Sequence, residues 1–196
     1  MLYSLTVILL AACSSSYEVE ENKLVTQENM ASAMPHFEIS FKQQFGNLVI
    51  TRTTIADTPE NQMDSIMAAT GDKVCQDLIA PSEELLSELN ISDADFNDVI
   101  TEVAKENAAY QIPIRELKCF TALSLYDTYL AQQVQTRASI WQYIECAALG
   151  QTVYGGFKIP TKQIVRLAAS SMVKRFVPYV GWGWAVASTA QCIANL

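Results

Sequence analysis

The stretch Pro113-Ile114-Arg115-Glu116-Leu117-Lys118-Cys119-Phe120-Thr121-Ala122-Leu123-Ser124-Leu125-Tyr126 opens the longest periodic run in the chain. Proline suits the first turn of a helix, where its missing N–H has no partner to lose. Beyond it, Leu123, Tyr126, Leu130, Val134, Trp141, Ile144 and Ala148 keep the three-and-four spacing of a buried stripe. The spacing predicts a helix from Pro113 to about Leu149, stopped at Gly150. A run of that length and period sets the fold class as mainly all-α, a helical bundle that has to cover this helix.

The residues before it read as further helices. Ser92 with Asp95 three residues on is a helix start, followed by the face Phe96, Val99, Ile100, Val103 and Ala104. Thr58-Pro59-Glu60 is another start: a capping hydroxyl, a proline at the first helical position and an acid near the positive end of the dipole. Met63, Ile66, Met67, Val74 and Leu78 form its stripe. Gly71 is expected to break this helix, with Asp72 restarting it, and Pro81-Ser82 to begin a separate short piece carrying Leu85, Leu86 and Leu89. Phe37 to Ile55 is the one stretch that reads as β. Phe37, Ile39 and Phe41 alternate with polar residues, Gly46-Asn47 is a turn signal, and β-branched residues follow, which predicts a small N-terminal β-hairpin.

After Gly150 the character changes. Thr161 to Arg175 predicts an amphipathic helix with Ile164, Leu167, Ala168 and Met172 on one side and Lys162, Gln163, Arg166, Ser170 and Lys174 on the other. Val177 to Leu196 is 20 uncharged residues containing Trp182 and Trp184, so residues 151–196 read as a cationic and apolar C-terminal helical hairpin. Three destinations fit it: a buried core hairpin, a membrane-active segment, or a membrane-spanning helix from Val177 flanked by Lys174-Arg175. The membrane-active reading rests on Lys162, Arg166, Lys174, Arg175, Trp182 and Trp184. In composition the segment from about Tyr154 resembles bacteriocin-type peptides, which are short, cationic and apolar.

Charge is divided in the same place. The net charge is −8, and all 21 acids lie at or before Glu145, while the five bases from Lys158 onward face no acid in their own segment. Such a split means that the two parts dock on each other or face different partners. The acidic total argues against nucleic acid as a partner, because no basic field draws phosphates in.

No catalytic constellation emerges. The sole histidine, His36, would have to carry any Ser-His-Asp or Cys-His arrangement alone. Asp93, Asp95 and Asp98 lack the glycine and terminal glutamate of a calcium loop and read as a charged helix start. Neither a phosphate-cradling glycine loop nor a zinc motif is present, and no metal or cofactor is expected.

At the N-terminus, Leu5, Val7, Ile8, Leu9 and Leu10 form an apolar core in an uncharged segment closed by Leu10-Ala11-Ala12-Cys13. This run resembles the lipobox of bacterial lipoprotein precursors. The resemblance implies cleavage after residue 12, a diacylglyceryl thioether and an amide-linked acyl chain such as palmitate on Cys13, and a place in the cell envelope. With Ser14 after the cysteine, the family rule implies the outer membrane in a Gram-negative cell. Residues 1–12 are then a signal peptide, residues 13–35 a lipidated cysteine with a flexible acidic tether, and residues 36–196 a single mainly helical domain. Its partners would be the membrane through the lipid and an unknown envelope protein or component. Four cysteines remain after Cys13, and an even count in an exported protein suggests two disulfides. On one continuous helix Cys119 and Cys146 would stand about 40 Å apart, which removes one of the three possible pairings, and of the two that remain antiparallel helix neighbours favour Cys75–Cys119 with Cys146–Cys192.

Overall fold

The computed structural model describes residues 23–45, 60–106, 111–133, 158–176 and 181–194. They form a mainly-α bundle of six helices with one two-stranded sheet. In chain order these are β1 (Leu24–Thr26), α1 (Gln27–Phe45), α2 (Glu60–Glu88), α3 (Asp93–Glu106), α4 (Ile114–Gln133), β2 (Lys158–Pro160), α5 (Thr161–Lys174) and α6 (Gly183–Ala194).

Helix α4 is the axis of the bundle. It packs against α1, α2, α3, α5 and α6, and Leu117 and every residue from Cys119 to Thr128 are buried. A helix enclosed on all sides must satisfy its polar groups internally. The Thr121, Ser124 and Thr128 hydroxyls do so by donating to the carbonyls of Leu117, Phe120 and Ser124 one turn earlier, at 2.7, 2.8 and 2.8 Å. The predicted extension of this helix beyond Gln133 lies outside the described residues.

The N-terminal β-hairpin is corrected. Phe37 and Phe41 belong to α1, where Met30, Ala33, Met34, Phe37 and Phe41 recur at helical spacing and are all buried. Ile39, which alternation would have put on the same face, is 55 % exposed. The two phenylalanines close on Tyr126 of α4, with ring centroids 5.7 and 5.1 Å away. The proposed second strand, from Leu48, lies outside the described residues.

The predicted tether is corrected from residue 24 to residue 35, which belong to β1 and α1. Leu24–Thr26 pairs antiparallel with Lys158–Pro160, Val25 opposite the buried Ile159. Thr26 and Asn29 then cap α1 reciprocally: the Thr26 N–H donates to Asn29 Oδ1 at 2.7 Å and the Asn29 N–H to Thr26 Oγ1 at 3.3 Å. The first N–H of α5, on Thr161, donates to the Lys23 carbonyl at 2.9 Å, so the small sheet fixes where α5 begins.

Neither predicted break in α2 exists. The helix continues through Gly71 and Pro81 to Glu88. Gly71 is needed for proximity instead: a Cβ there would fall 1.8 Å from the carbonyl oxygen of Gly183, the first residue of α6. The helix stops at Asn90, in the left-handed region at φ 58°. The Ile91 N–H reaches back to Leu86 at 2.8 Å and the Asn90 N–H to Ser87 at 3.0 Å, which closes a Schellman turn over the buried Leu85 and Leu86. The predicted start of α3 is found as read. Asp95 accepts from both the backbone and hydroxyl of Ser92, at 2.8 and 2.9 Å.

Candidate functional site

The charge division of the sequence becomes a contact in the fold. Helix α5 lies along α3. Its inner side buries Ile164, Val165, Ala168, Ala169 and Met172. Its outer edge meets the acids of α3: Lys162 Nζ is 2.9 Å from Asp98 Oδ2 and 3.3 Å from Glu102 Oε1, and Arg166 Nη2 is 2.6 Å from Glu102 Oε2. The Arg166 guanidinium and the Lys162 ammonium hold the Glu102 carboxyl below the usual carboxylate range. Further along the same seam a surface groove of about 390 Å³ runs between Val99 and Val103 of α3 and Val173 of α5, with Glu106 and Lys174 at its edges.

The inner end of α5 is different. Arg175, half-buried, donates from Nη1 to the Thr189 hydroxyl of α6, and its guanidinium carbon lies 5.7 Å from the centre of the Phe120 ring of α4. Deeper in the same core is Asp127 of α4, with no exposed surface and with neither carboxylate oxygen hydrogen-bonded. Burial pushes its carboxyl up to about 7, outweighing the opposing pull of Arg175. The same burial lowers Arg175, although a guanidinium keeps its charge throughout the working range.

Of the six residues proposed as membrane-active, Lys162 and Arg166 are therefore engaged by α3, and Arg175 by α6. Lys174 is exposed at the groove edge. Trp182 packs at a tilt against Phe176, with 4.2 Å between centroids, and Trp184 is half-buried on α6. The spanning-helix alternative is corrected: α6 has 12 residues, about 18 Å of helix against the ~30 Å of a bilayer core. Among the described residues no helix is long and apolar enough to cross a membrane.

The Cys75–Cys119 disulfide is likewise corrected. Both cysteines are free and buried, and the Cys119 thiol donates to the Cys75 carbonyl at 3.6 Å instead of bonding its sulfur. The neighbouring Cys119 thiol and burial together push the Cys75 thiol up, so it is not a thiolate nucleophile. Cys192 is disulfide-bonded, and its expected partner Cys146 lies outside the described residues.

The acidic side chains near the start of α3 are used structurally. Asp93 lies 2.8 Å from Lys118 of α4, Asp95 caps α3, and Asp98 meets Lys162. Among the described residues no group of three metal-ligating side chains comes together. His36 stands on the exposed side of α1, its Nδ1 3.1 Å from Glu84 of α2. Asp127 is the residue that sequence reading passed over. Its signal was available: it is the one acid between Glu116 and Glu145, set among Leu123, Leu125, Tyr126 and Leu130. No family model, curated protein or solved structure matches the chain.

Proposed function

We propose that this chain is a non-enzymatic cell-envelope lipoprotein, a helical domain carried on a membrane by acyl chains at Cys13 and serving to bind an envelope protein or component. The observation that carries this reading is the run Leu10-Ala11-Ala12-Cys13 behind an uncharged apolar segment. Two or three acyl chains anchor firmly where one is marginal. The first described element, β1, follows soon after. Ten residues separate Cys13 from β1, so even fully extended they hold the domain within about 35 Å of the anchor. Cells fed labelled palmitate are expected to incorporate it into the wild-type protein and not into Cys13→Ser. Label that persists in the variant refutes the anchor.

A second reading is favoured by the ion pairs between α3 and α5. Asp98 and Glu102 occupy the cations of an otherwise basic amphipathic helix, which is the arrangement expected of a precursor that masks a membrane-active, toxin-like C-terminal segment until release. A peptide covering Tyr154 to Leu196 is then expected to make liposomes leak. Absence of leakage at any reasonable peptide-to-lipid ratio removes this reading.

A further inference from the structure

Along the seam between α3 and α5 the ion pairs keep a register and then lose it. The two helices run in the same direction, since Asp98 meets Lys162 and, one turn on, Glu102 meets Arg166. The next turn of that register sets Glu106 level with Ser170, which has no charge to offer. The next cation of α5, Lys174, comes four residues later, about 6 Å further along the axis. The groove of about 390 Å³ opens at this gap, with Val99 and Val103 on the α3 side and Val173 on the α5 side. Val103 and Val173 are only half-buried. Glu106 and Lys174 are the last residues of their helices and both are exposed. Among the described residues neither makes an ion pair.

We propose that the groove at the end of the α3–α5 seam takes a second copy of this chain, the two copies related by a two-fold axis along the seam, with Lys174 of each lying in the groove of the other and reaching its Glu106. The charges select this occupant. Each copy has one acid and one base left over at the groove. An acidic partner would answer Lys174 alone and a basic one Glu106 alone, whereas a second copy answers both, and does so twice. A two-fold axis along the seam exchanges its edges, so the basic edge of one copy falls on the acidic edge of the other; an axis across the seam would set like charges together. The apolar stem of Lys174 covers Val103 and Val173 of the other copy while its ammonium stays in water at the rim. The surface is small and its charges lie at the rim, so the association is weak, reversible and salt-dependent. It depends on neither reading given above.

The test is sedimentation equilibrium on the full chain over a concentration series at low salt, where exposed charges act most strongly. The wild type is expected to pass from monomer to dimer as its concentration rises. Glu106→Lys sets lysine against lysine across the contact, and Lys174→Glu sets glutamate against glutamate. Each is expected to weaken association about tenfold or more and to leave the thermal melting curve unchanged, because both side chains are exposed. An equimolar mixture of E106K and K174E restores an opposite pair at both contacts and is expected to dimerise as the wild type does. Single variants that associate as tightly as the wild type, a mixture that stays monomeric, or a wild type that is monomeric up to about 1 mM would each overturn the proposal, the last leaving the groove to an unlike partner.

Discussion

The two sides of α5 handle positive charge in opposite ways. Along its outer edge Lys162 and Arg166 meet Asp98 and Glu102 with water close by, their side chains 38 % and 49 % exposed. At its inner end Arg175 turns onto the Thr189 hydroxyl and the Phe120 ring, in a core that also holds the Asp127 carboxyl without a hydrogen bond. Exposed pairs are screened and sacrifice side-chain freedom, so they orient α5 on α3 more than they hold it there. Buried groups are weakly screened, so small changes in their protonation or position are felt by the whole fold. The acid–base division of the chain is thus answered by docking, while the stability of the docked unit is decided on the other side of the helix.

Substitutions on the two sides should separate accordingly. The largest effect is expected of Gly71→Leu on the inner seam. Even its Cβ would overlap the Gly183 carbonyl, so α2 and α6 must part, and no cooperative thermal transition should be seen by circular dichroism. A G71L protein with a wild-type melting curve would show that this seam is not tight. Next comes Met172→Ala, which empties a fully buried site on the inner face of α5 and should cost about 2–5 kcal/mol in urea unfolding. Ser170→Ala, two residues away and exposed, should stay within about 0.5 kcal/mol. Comparable values for the two would erase the distinction between the faces. The smallest effect belongs to Glu102→Gln, which removes the charge partner of Arg166 and one of the two carboxylates on Lys162, leaving Lys162 on Asp98. The unfolding midpoint should barely move, and the residual difference should vanish in high salt. A large, salt-insensitive loss would mean that the outer edge holds the unit after all.

Much of the bundle was legible in the residues, and the misreadings have a common cause. The helix at α4, the Ser92–Asp95 start of α3 and the two faces of α5 were written in spacing that the fold obeys. Helix α4 is nonetheless buried all round from Cys119 to Thr128 and not along one stripe, and the part of that stripe from Val134 on lies outside the described residues. Phe37, Ile39 and Phe41 fit period two as well as a helical period. Met30, Ala33 and Met34 upstream settle it for the helix, and with them the reciprocal cap Thr26–Asn29. Gly71 and Pro81 are helix breakers locally, but packing prevails: the glycine admits α6, and the proline does not stop a helix buried along Val74, Leu78, Leu85 and Leu86. Asn90, not a proline, ends α2, because the left-handed turn it adopts is well tolerated by asparagine. The site was legible only in part. The cations of α5 were visible, and so was the acidity of the preceding chain. That Asp98 and Glu102 would face Lys162 and Arg166 is a matter of tertiary register, and that Asp127 would be buried without a hydrogen bond depends on which side chains pack around α4.

The most direct measurement of the inner side is the wild-type unfolding free energy as a function of pH. Asp127 has its folded-state carboxyl raised to about 7 from an ordinary 3.8, so the folded protein holds a proton that the unfolded chain releases. Stability from this group is greatest below the unfolded value and is lost as pH rises towards 7, by about 3 kcal/mol between pH 5 and pH 8. Glu102 acts with the opposite sign, its carboxyl being lowered, and only where acid protonates it, below that window. We expect stability to fall from pH 5 to pH 8 in the wild type and to stay level in Asp127→Asn. A wild-type curve that is flat or rises across that interval would contradict the claim that the core of this bundle turns on one unpartnered carboxyl.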